Sequence, residues 1–233
     1  MALPKLNDTP KYSLIIPSSG QEVRFRPFLV KEEKLLVMAG ESDDKADMIN
    51  AVQQIITNCS LGKVDGSKLP IFDLQKVFLE IRGMSVSNVI PLVAKCGECE
   101  VENDVVFDLE KVKITKNKGH TRSIKLTDTM VLEMDYPSVF DINKLLGDDI
   151  EEIYKVTANC IKTIYNDEEV IEFQESPLEE RLQFIEQFSV KQFALIRLFY
   201  ETMPQILHAI EFNCKACKKD NTLVIDGYEN FFV

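Results

Sequence analysis

Apolar residues alternate or run together at positions 12–16 and 22–28, on either side of Ser18-Ser19-Gly20, and this pattern predicts a β-hairpin. From Val30 the spacing turns helical, with Leu35, Leu36 and Met38 apolar and Gly40 as the stop. Met48, Ile49, Val52, Ile55, Ile56 and Cys59 then fall on one face of a second helix, with Asp43 or Asp44 placed to cap it. Asp73 is expected to cap a third helix, which carries Leu74, Val77, Phe78 and Ile81 and stops near Gly83. Strands are expected over 88–95 and 101–107.

The second half reads the same way. A hairpin ends at Pro137, and Ile150, Ile153, Thr157, Cys160, Ile161 and Ile164 fit one helical face. Cys59 and Cys160 are therefore expected in cores. Ser176-Pro177-Leu178-Glu179 has the form of a helix start, and Ser189 with Gln192 forms a capping box. The helix after Ser189 holds Phe193, Ala194, Ile196, Leu198 and Phe199, apolar nearly all round, and is expected to be central. Strands follow at 207–212 and 221–225.

The parallel between the halves has a sequence counterpart. SLIIPSSGQEVRFRPFLVKEEKLL from Ser13 lies against SIKLTDTMVLEMDYPSVFDINKLL from Ser123 at an offset of 110. Ser13, Pro27, Leu35 and Leu36 meet Ser123, Pro137, Leu145 and Leu146, and Asn58-Cys59 later meets Asn159-Cys160. Such self-similarity marks duplication. The expected fold is α+β, two tandem pseudo-symmetric repeats, each with a β-hairpin, helices and a C-x-x-C zinc-knuckle hairpin. The expected boundaries are 1–115, with Cys96 and Cys99, and 116–233, with Cys214 and Cys217.

These four cysteines are the candidate chemistry. Cys96-Gly97-Glu98-Cys99 and Cys214-Lys215-Ala216-Cys217 each sit between two predicted strands, the setting of a zinc knuckle. Redox C-x-x-C pairs need a helix start to lower the first thiol's pKa, and neither pair has one. Four thiolates would close the coordination shell of one zinc ion shared by both knuckles, which makes it structural rather than catalytic. Four reduced cysteines without metal is the plain alternative.

Composition narrows the function. The chain of 233 residues has a net charge of −11, against nucleic-acid binding driven by whole-molecule charge. No stretch approaches the roughly 20 apolar residues of a membrane helix, and the N-terminal residues lack a secretory apolar segment, so folding in a reducing cytoplasm is expected. Residues 111–125 carry six Lys/Arg and no acid, as a solvated loop between repeats or a docking strip for an acidic protein. Phe231 and Phe232 near the end fold back on a core or mark a second docking point. The acidic clusters Asp148-Asp149-Glu151-Glu152 and Asp167-Glu168-Glu169 read as solvated helix starts and turns. His120 and His208 lack recognisable partners, and no phosphate loop, nucleophile elbow or H-E-x-x-H is present. A non-enzymatic role is expected.

Arg26-Pro27-Phe28-Leu29-Val30-Lys31-Glu32-Glu33-Lys34-Leu35-Leu36, leading into Met38-Ala39 and Glu41-Ser42, resembles the baseplate hub family of T4-like bacteriophages, the subunits and assembly factors of the contractile tail's hub. The quotable match lies in residues 12–42, the helix from Phe72 to Arg82 and the hairpin from Leu126 to Pro137. The resemblance implies a structural subunit or assembly factor, found in the host cytoplasm during assembly or in the virion tail baseplate, with other hub proteins as partners. The cysteine spacing alone, not the resemblance, implies zinc. The alternatives are a zinc-ribbon regulatory adaptor and a hydrolase built from ordinary carboxylates.

Overall fold

Short hairpins and amphipathic helices alternate along the chain. The computed structural model describes residues 9–42, 44–145, 147, 149–167 and 169–225. In order these form β1 (Tyr12–Ile15), β2 (Glu22–Phe25), α1 (Val30–Gly40), α2 (Lys45–Cys59), α3 (Ile71–Ser85), β3 (Val89–Lys95), β4 (Glu102–Asp108), β5 (Ile114–Thr115), β6 (Ser123–Lys125), β7 (Met130–Met134), α4 (Val139–Leu145), α5 (Ile150–Cys160), β8 (Ile161–Asn166), β9 (Val170–Glu172), α6 (Leu178–Glu186), α7 (Val190–Glu201), β10 (Gln205–Ile206), β11 (His208–Asn213) and β12 (Asp220–Ile225). The fold is α+β with small antiparallel sheets. Packing divides it into two units, one of the described residues up to Thr115 with those from Ile206 onward, the other Lys116–Gln205. Phe231 and Phe232, as well as Asp43, Leu146, Asp148 and Glu168, lie outside the described residues.

In the first unit β1 and β2 pair antiparallel, with Leu14 opposite Val23. Gly20 closes their turn at φ +69°, a left-handed conformation that glycine adopts without a Cβ clash. Leu14, Val23 and Phe25 point into the core, as strand alternation requires. On α2, Ile49, Val52, Ile55, Ile56 and Cys59 are all buried, and Asp44 caps the helix by accepting from the Ala46 amide. The turn at Gly66 presses so closely on the Gln53 backbone that a Cβ there would collide with it. The Gly66 amide donates to Thr57 Oγ1 at 3.0 Å.

The third helix departs from expectation. It begins after Pro70 and runs on past Gly83 to Ser85, so Asp73 is inside its first turn rather than at its cap. Tertiary contact decides this: the Asp73 carboxylate is fully buried and accepts both the Ser18 amide, at 3.0 Å, and the Ser18 hydroxyl. A buried ion pair joins the same unit, with Arg26 donating to Glu32 at 2.9 Å and Glu32 also accepting the Leu29 amide at 2.9 Å.

In the second unit β6, β7, β8 and β9 form one four-stranded sheet in that order. Ile124, Leu132, Met134, Val156, Ile161, Ile164, Phe173, Ile185, Ile196 and Phe199 are buried in one cluster. Ile161 and Ile164 are not helical as the periodicity implied. The helix ends at Cys160, and Ile161 opens β8 with extended backbone, because the β-branched Ile161, Thr163 and Ile164 gain sheet pairing with β7. Two further corrections concern helices. Pro177, not Ser176, sits at the cap of α6, and no side chain caps it. The helix α7 is not central: only Ile196 and Phe199 are buried, while Leu195 and Leu198 face solvent. Its 3.6-residue period turns just one face to the core, whatever the composition of the other. The capping box of Ser189 and Gln192 forms as expected.

One backbone contact recurs. The first residue after β2, Arg26, donates its amide to the carbonyl of Cys59 at the end of α2, at 3.0 Å. The first residue after β7, Asp135, does the same to Cys160 at the end of α5, at 2.6 Å.

Candidate metal centre

Two antiparallel hairpins build the site within the first unit. β3 and β4 pair from Val89–Asp108 to Lys95–Glu102, and β11 and β12 from His208–Ile225 to Asn213–Asp220, so each C-x-x-C is the turn of its hairpin. Phe107 on β4 and His208 on β11 bring the hairpins together, their rings 5.4 Å apart.

The two turns have the same backbone. The Cys96 amide donates to Val101 at 3.0 Å and Glu100 donates back to Cys96 at 3.0 Å; Cys214 and Lys219 repeat the first bond at 2.9 Å, Lys218 and Cys214 the second at 3.0 Å. Glu100 and Lys218, each just after the second cysteine, take left-handed φ values of 57° and 61°. That reversal swings both sulfurs of a turn to one side, at the cost of placing ordinary side chains in a conformation that disfavours them.

All four sulfurs lie within 4.8 Å of one another. Cys96 is 3.6 Å from Cys217 and Cys99 is 3.6 Å from Cys214, both across the hairpins. An ion held tetrahedrally at about 2.3 Å from each sulfur would set neighbouring sulfurs about 3.8 Å apart. The donor set therefore fits zinc in size and in chemistry. Cys96 and Cys214 are buried, and Cys99 and Cys217 are exposed.

Amides and sulfurs split the thiol acidities. Amides of Cys99 and Glu98 aimed at Cys96 hold its pKa below the ordinary thiol value. The Cys217 amide, opposed by burial and helped by the Ala216 amide, lowers Cys214 to about 6. At Cys217 the Lys219 amide acts downward, yet burial and the neighbouring sulfurs raise the thiol to about 11. Four thiols this close cannot all ionise without a compensating cation: the amides favour the thiolate at Cys96 and Cys214, and the neighbouring sulfurs oppose it at Cys217.

Two asparagines complete the site. Asn221 Oδ1 accepts the Gly97 amide at 3.0 Å, and its Nδ2 lies 3.5 Å from Cys96 Sγ. Asn103 mirrors it, accepting the Lys215 amide at 2.8 Å with its Nδ2 3.9 Å from Cys214 Sγ. Each Nδ2 also donates within its own hairpin, Asn103 to Val101 at 2.7 Å and Asn221 to Lys219 at 2.9 Å. The asparagines went unread in the sequence, although each stands four residues after the second cysteine of its pair. Ion pairs of Lys219 with Glu98, at 2.8 Å, and of Lys215 with Asp104, at 3.9 Å, also cross between the hairpins. Both are exposed, so each contributes little.

The remaining sequence candidates lie elsewhere. Cys59 and Cys160 are buried, Cys59 with its sulfur 3.8 Å from the Arg26 guanidinium and Cys160 beside the Tyr200 hydroxyl, and burial outweighs these contacts and pushes the two thiols up to about 11 and about 12. His120 does find partners, Thr202 Oγ1 at 3.0 Å from Nδ1 and Tyr136 OH at 2.9 Å from Nε2. In the basic strip Lys111 pairs with Asp108, Arg122 with Glu133 and Asp135, and Lys125 with Asp128. Lys113, Lys116 and Lys118 are exposed and make no ion pair among the described residues. No helix among the described residues is long and apolar enough to cross a membrane.

The chain matches the family model described as T4 bacteriophage base plate protein over residues 9–233. No curated protein matches it, and no solved structure does.

Proposed function

The chain belongs to the T4 bacteriophage base plate protein family, and from that premise we propose that it is a non-enzymatic protein of the baseplate hub, a structural subunit or assembly factor that binds other hub proteins. The observation that carries this reading is the family match, which takes in nearly the whole chain. The hub assignment rests in addition on the run from Arg26 to Leu36. A role in the infected cell's cytoplasm during assembly follows from the same reading.

The scaffold is read as two repeats, 1–115 and 116–233, clipped by one zinc ion on Cys96, Cys99, Cys214 and Cys217. Support for the repeats comes from the order of elements, since each half runs hairpin, two helices with the second ending in cysteine, further helical structure and a C-x-x-C hairpin, although the second half inserts β8 and β9 and has two further helices, α6 and α7, where the first has α3 alone. The Arg26–Cys59 and Asp135–Cys160 bonds occupy matching places in that order. Support for the zinc comes from the four sulfurs within 4.8 Å. When bound, the ion would supply a closed cross-link between segments more than 100 residues apart in sequence, holding structure rather than activating water.

Mixing the purified full chain with the hub proteins of a contractile tail and resolving the products by size-exclusion chromatography with light scattering tests the binding role. A defined complex is expected. Migration of every component alone, at concentrations well above micromolar, removes the hub reading. Metal analysis of the same preparation is expected to return one zinc per chain, lost on substitution of any one of the four cysteines by serine.

A further inference from the structure

Asn103 and Asn221 stand at equivalent places, 118 residues apart, the same separation as Cys96 from Cys214 and Cys99 from Cys217. Each reaches across to the other hairpin. The Asn221 carbonyl oxygen receives the amide just after Cys96, and the Asn103 carbonyl oxygen receives the amide just after Cys214. Each Nδ2 is at the same time aimed at the first cysteine sulfur of the opposite turn and anchored by a carbonyl of its own hairpin. Each C-x-x-C turn is closed by backbone bonds of its own hairpin, but the amide after its first cysteine is satisfied from the other hairpin. A side chain from the other one ties down the residue that follows its first cysteine.

We propose that Asn103 and Asn221 are a reciprocal pair of positioning residues that dock the two C-x-x-C turns and donate N–H bonds to the Cys214 and Cys96 sulfurs of the metal centre. The inference deepens the metal-clip reading and rests on it. The physical reasons are two. Sulfurs on separate hairpins must be brought to within about 4 Å before a metal can gain from all four, and the exchanged amide bonds do this through the polypeptide itself. A thiolate bound to metal carries excess negative charge, which an N–H donor offsets, so partners around a metal's ligands set both affinity and electronic properties. Asn is suited because one planar group offers an acceptor to a backbone amide and a donor to sulfur together.

Titration of the full-length chain with Co²⁺ and then Zn²⁺, read by the cobalt d–d and sulfur-to-cobalt charge-transfer bands, separates the possibilities. Asn103→Ala and Asn221→Ala are each expected to weaken Zn²⁺ binding by about 10- to 100-fold. Asn103→Asp and Asn221→Asp keep the oxygen that accepts the Lys215 or Gly97 amide and lose the N–H donor. They are expected to shift the charge-transfer band while the d–d pattern stays tetrahedral. Asn221 is only half-buried, so its variants carry the test if those of Asn103 do not fold, as judged by circular dichroism. Affinities within twofold of the parent, with an unmoved charge-transfer band, overturn the positioning role and leave the metal clip standing. A parent chain that binds neither metal overturns the clip, and the positioning role with it.

Discussion

Asp73 accepts two hydrogen bonds from Ser18, one from its amide and one from its hydroxyl, across 55 residues of sequence. The carboxyl is fully buried, and burial raises its pKa from 3.8 to about 6 against the lowering effect of the serine bonds. A carboxyl whose pKa is higher folded than unfolded binds its proton more tightly in the fold. Its favourable contribution is therefore complete below pH 4 and is lost as pH rises through about 6, some 3 kcal/mol in all. Asp73→Asn removes this dependence. In urea unfolding the difference between variant and parent is expected to grow in the variant's favour between pH 4 and pH 7. Comparing the two proteins at each pH cancels the effect of acid on the metal centre. A difference that stays constant with pH would show that Asp73 is charged in the fold throughout.

The buried pair of Arg26 and Glu32 predicts an asymmetry. Glu32 is inaccessible to solvent and binds both the guanidinium and the Leu29 amide, and their mutual bond raises the arginine pKa. Glu32→Ala leaves an uncompensated buried charge and is expected to cost about 3–5 kcal/mol in unfolding free energy. Replacing both residues by methionine is expected to cost less than that single change. If the double variant is the weaker protein, the pair is stabilising beyond the mere avoidance of an orphan charge.

His120 supplies a pH effect of opposite sign to that of Asp73. Burial, then the charges of Arg122 and Lys116, lower its pKa, and its ring packs beside Tyr136 and Phe199. A histidine with a depressed pKa is held neutral, so the fold gains stability as pH rises past the unfolded value near 6.5 and loses it below. His120→Gln is expected to lower the melting temperature at pH 8 and to flatten its fall between pH 7 and pH 5.5, again relative to the parent. An undiminished fall in the variant would assign the acid sensitivity to other groups.

Thiol chemistry separates the cysteine classes. Cys59 and Cys160 are buried with raised pKa values, whereas Cys214 is lowered to about 6, and Cys99 and Cys217 reach the surface, so that Cys217, although raised to about 11, differs from the core thiols in its access to reagent. With metal bound, native protein is expected to react slowly with iodoacetamide. After chelation, mass spectrometry is expected to show label at Cys96, Cys99, Cys214 and Cys217 first, with Cys59 and Cys160 labelled only in denaturant. A chelator should lower the melting temperature as well. Equal labelling with and without chelator would mean that the thiols hold no ion.

Much of this was legible along the chain. The C-x-x-C turns, the Ser189–Gln192 cap and the Cys59 face of α2 all rest on neighbours within a few residues, where sequence spacing is spatial spacing. What was hidden depended on distance. Asp73 looks like a cap until Ser18, in the turn between β1 and β2, claims its carboxylate. Ile161 and Ile164 continue the helical spacing of Thr157, and only pairing with β7 turns them into a strand. Asn103 and Asn221 give no signal along the chain because the amides and sulfurs they reach in the opposite turn lie more than 100 residues away.

The basic strip supplies the last prediction. Among its six cations, Lys111, Arg122 and Lys125 are engaged by acids of the same chain. Lys113, Lys116 and Lys118 are exposed and make no ion pair among the described residues. Exposed charges of this kind contribute little to folding, so reversing all three to glutamate is expected to move the unfolding free energy by no more than about 0.5 kcal/mol per site. On a protein of net charge −11 they can still dock an acidic partner locally, where long-range attraction by the whole chain would fail. Binding of the triple variant to hub proteins is expected to weaken at low salt, and the parent's affinity to fall between 50 and 300 mM salt while the variant's changes little. Calorimetric titration at both salts measures this. Equal affinities for parent and variant at 50 mM would assign the strip to solvent and send the search for the docking surface elsewhere.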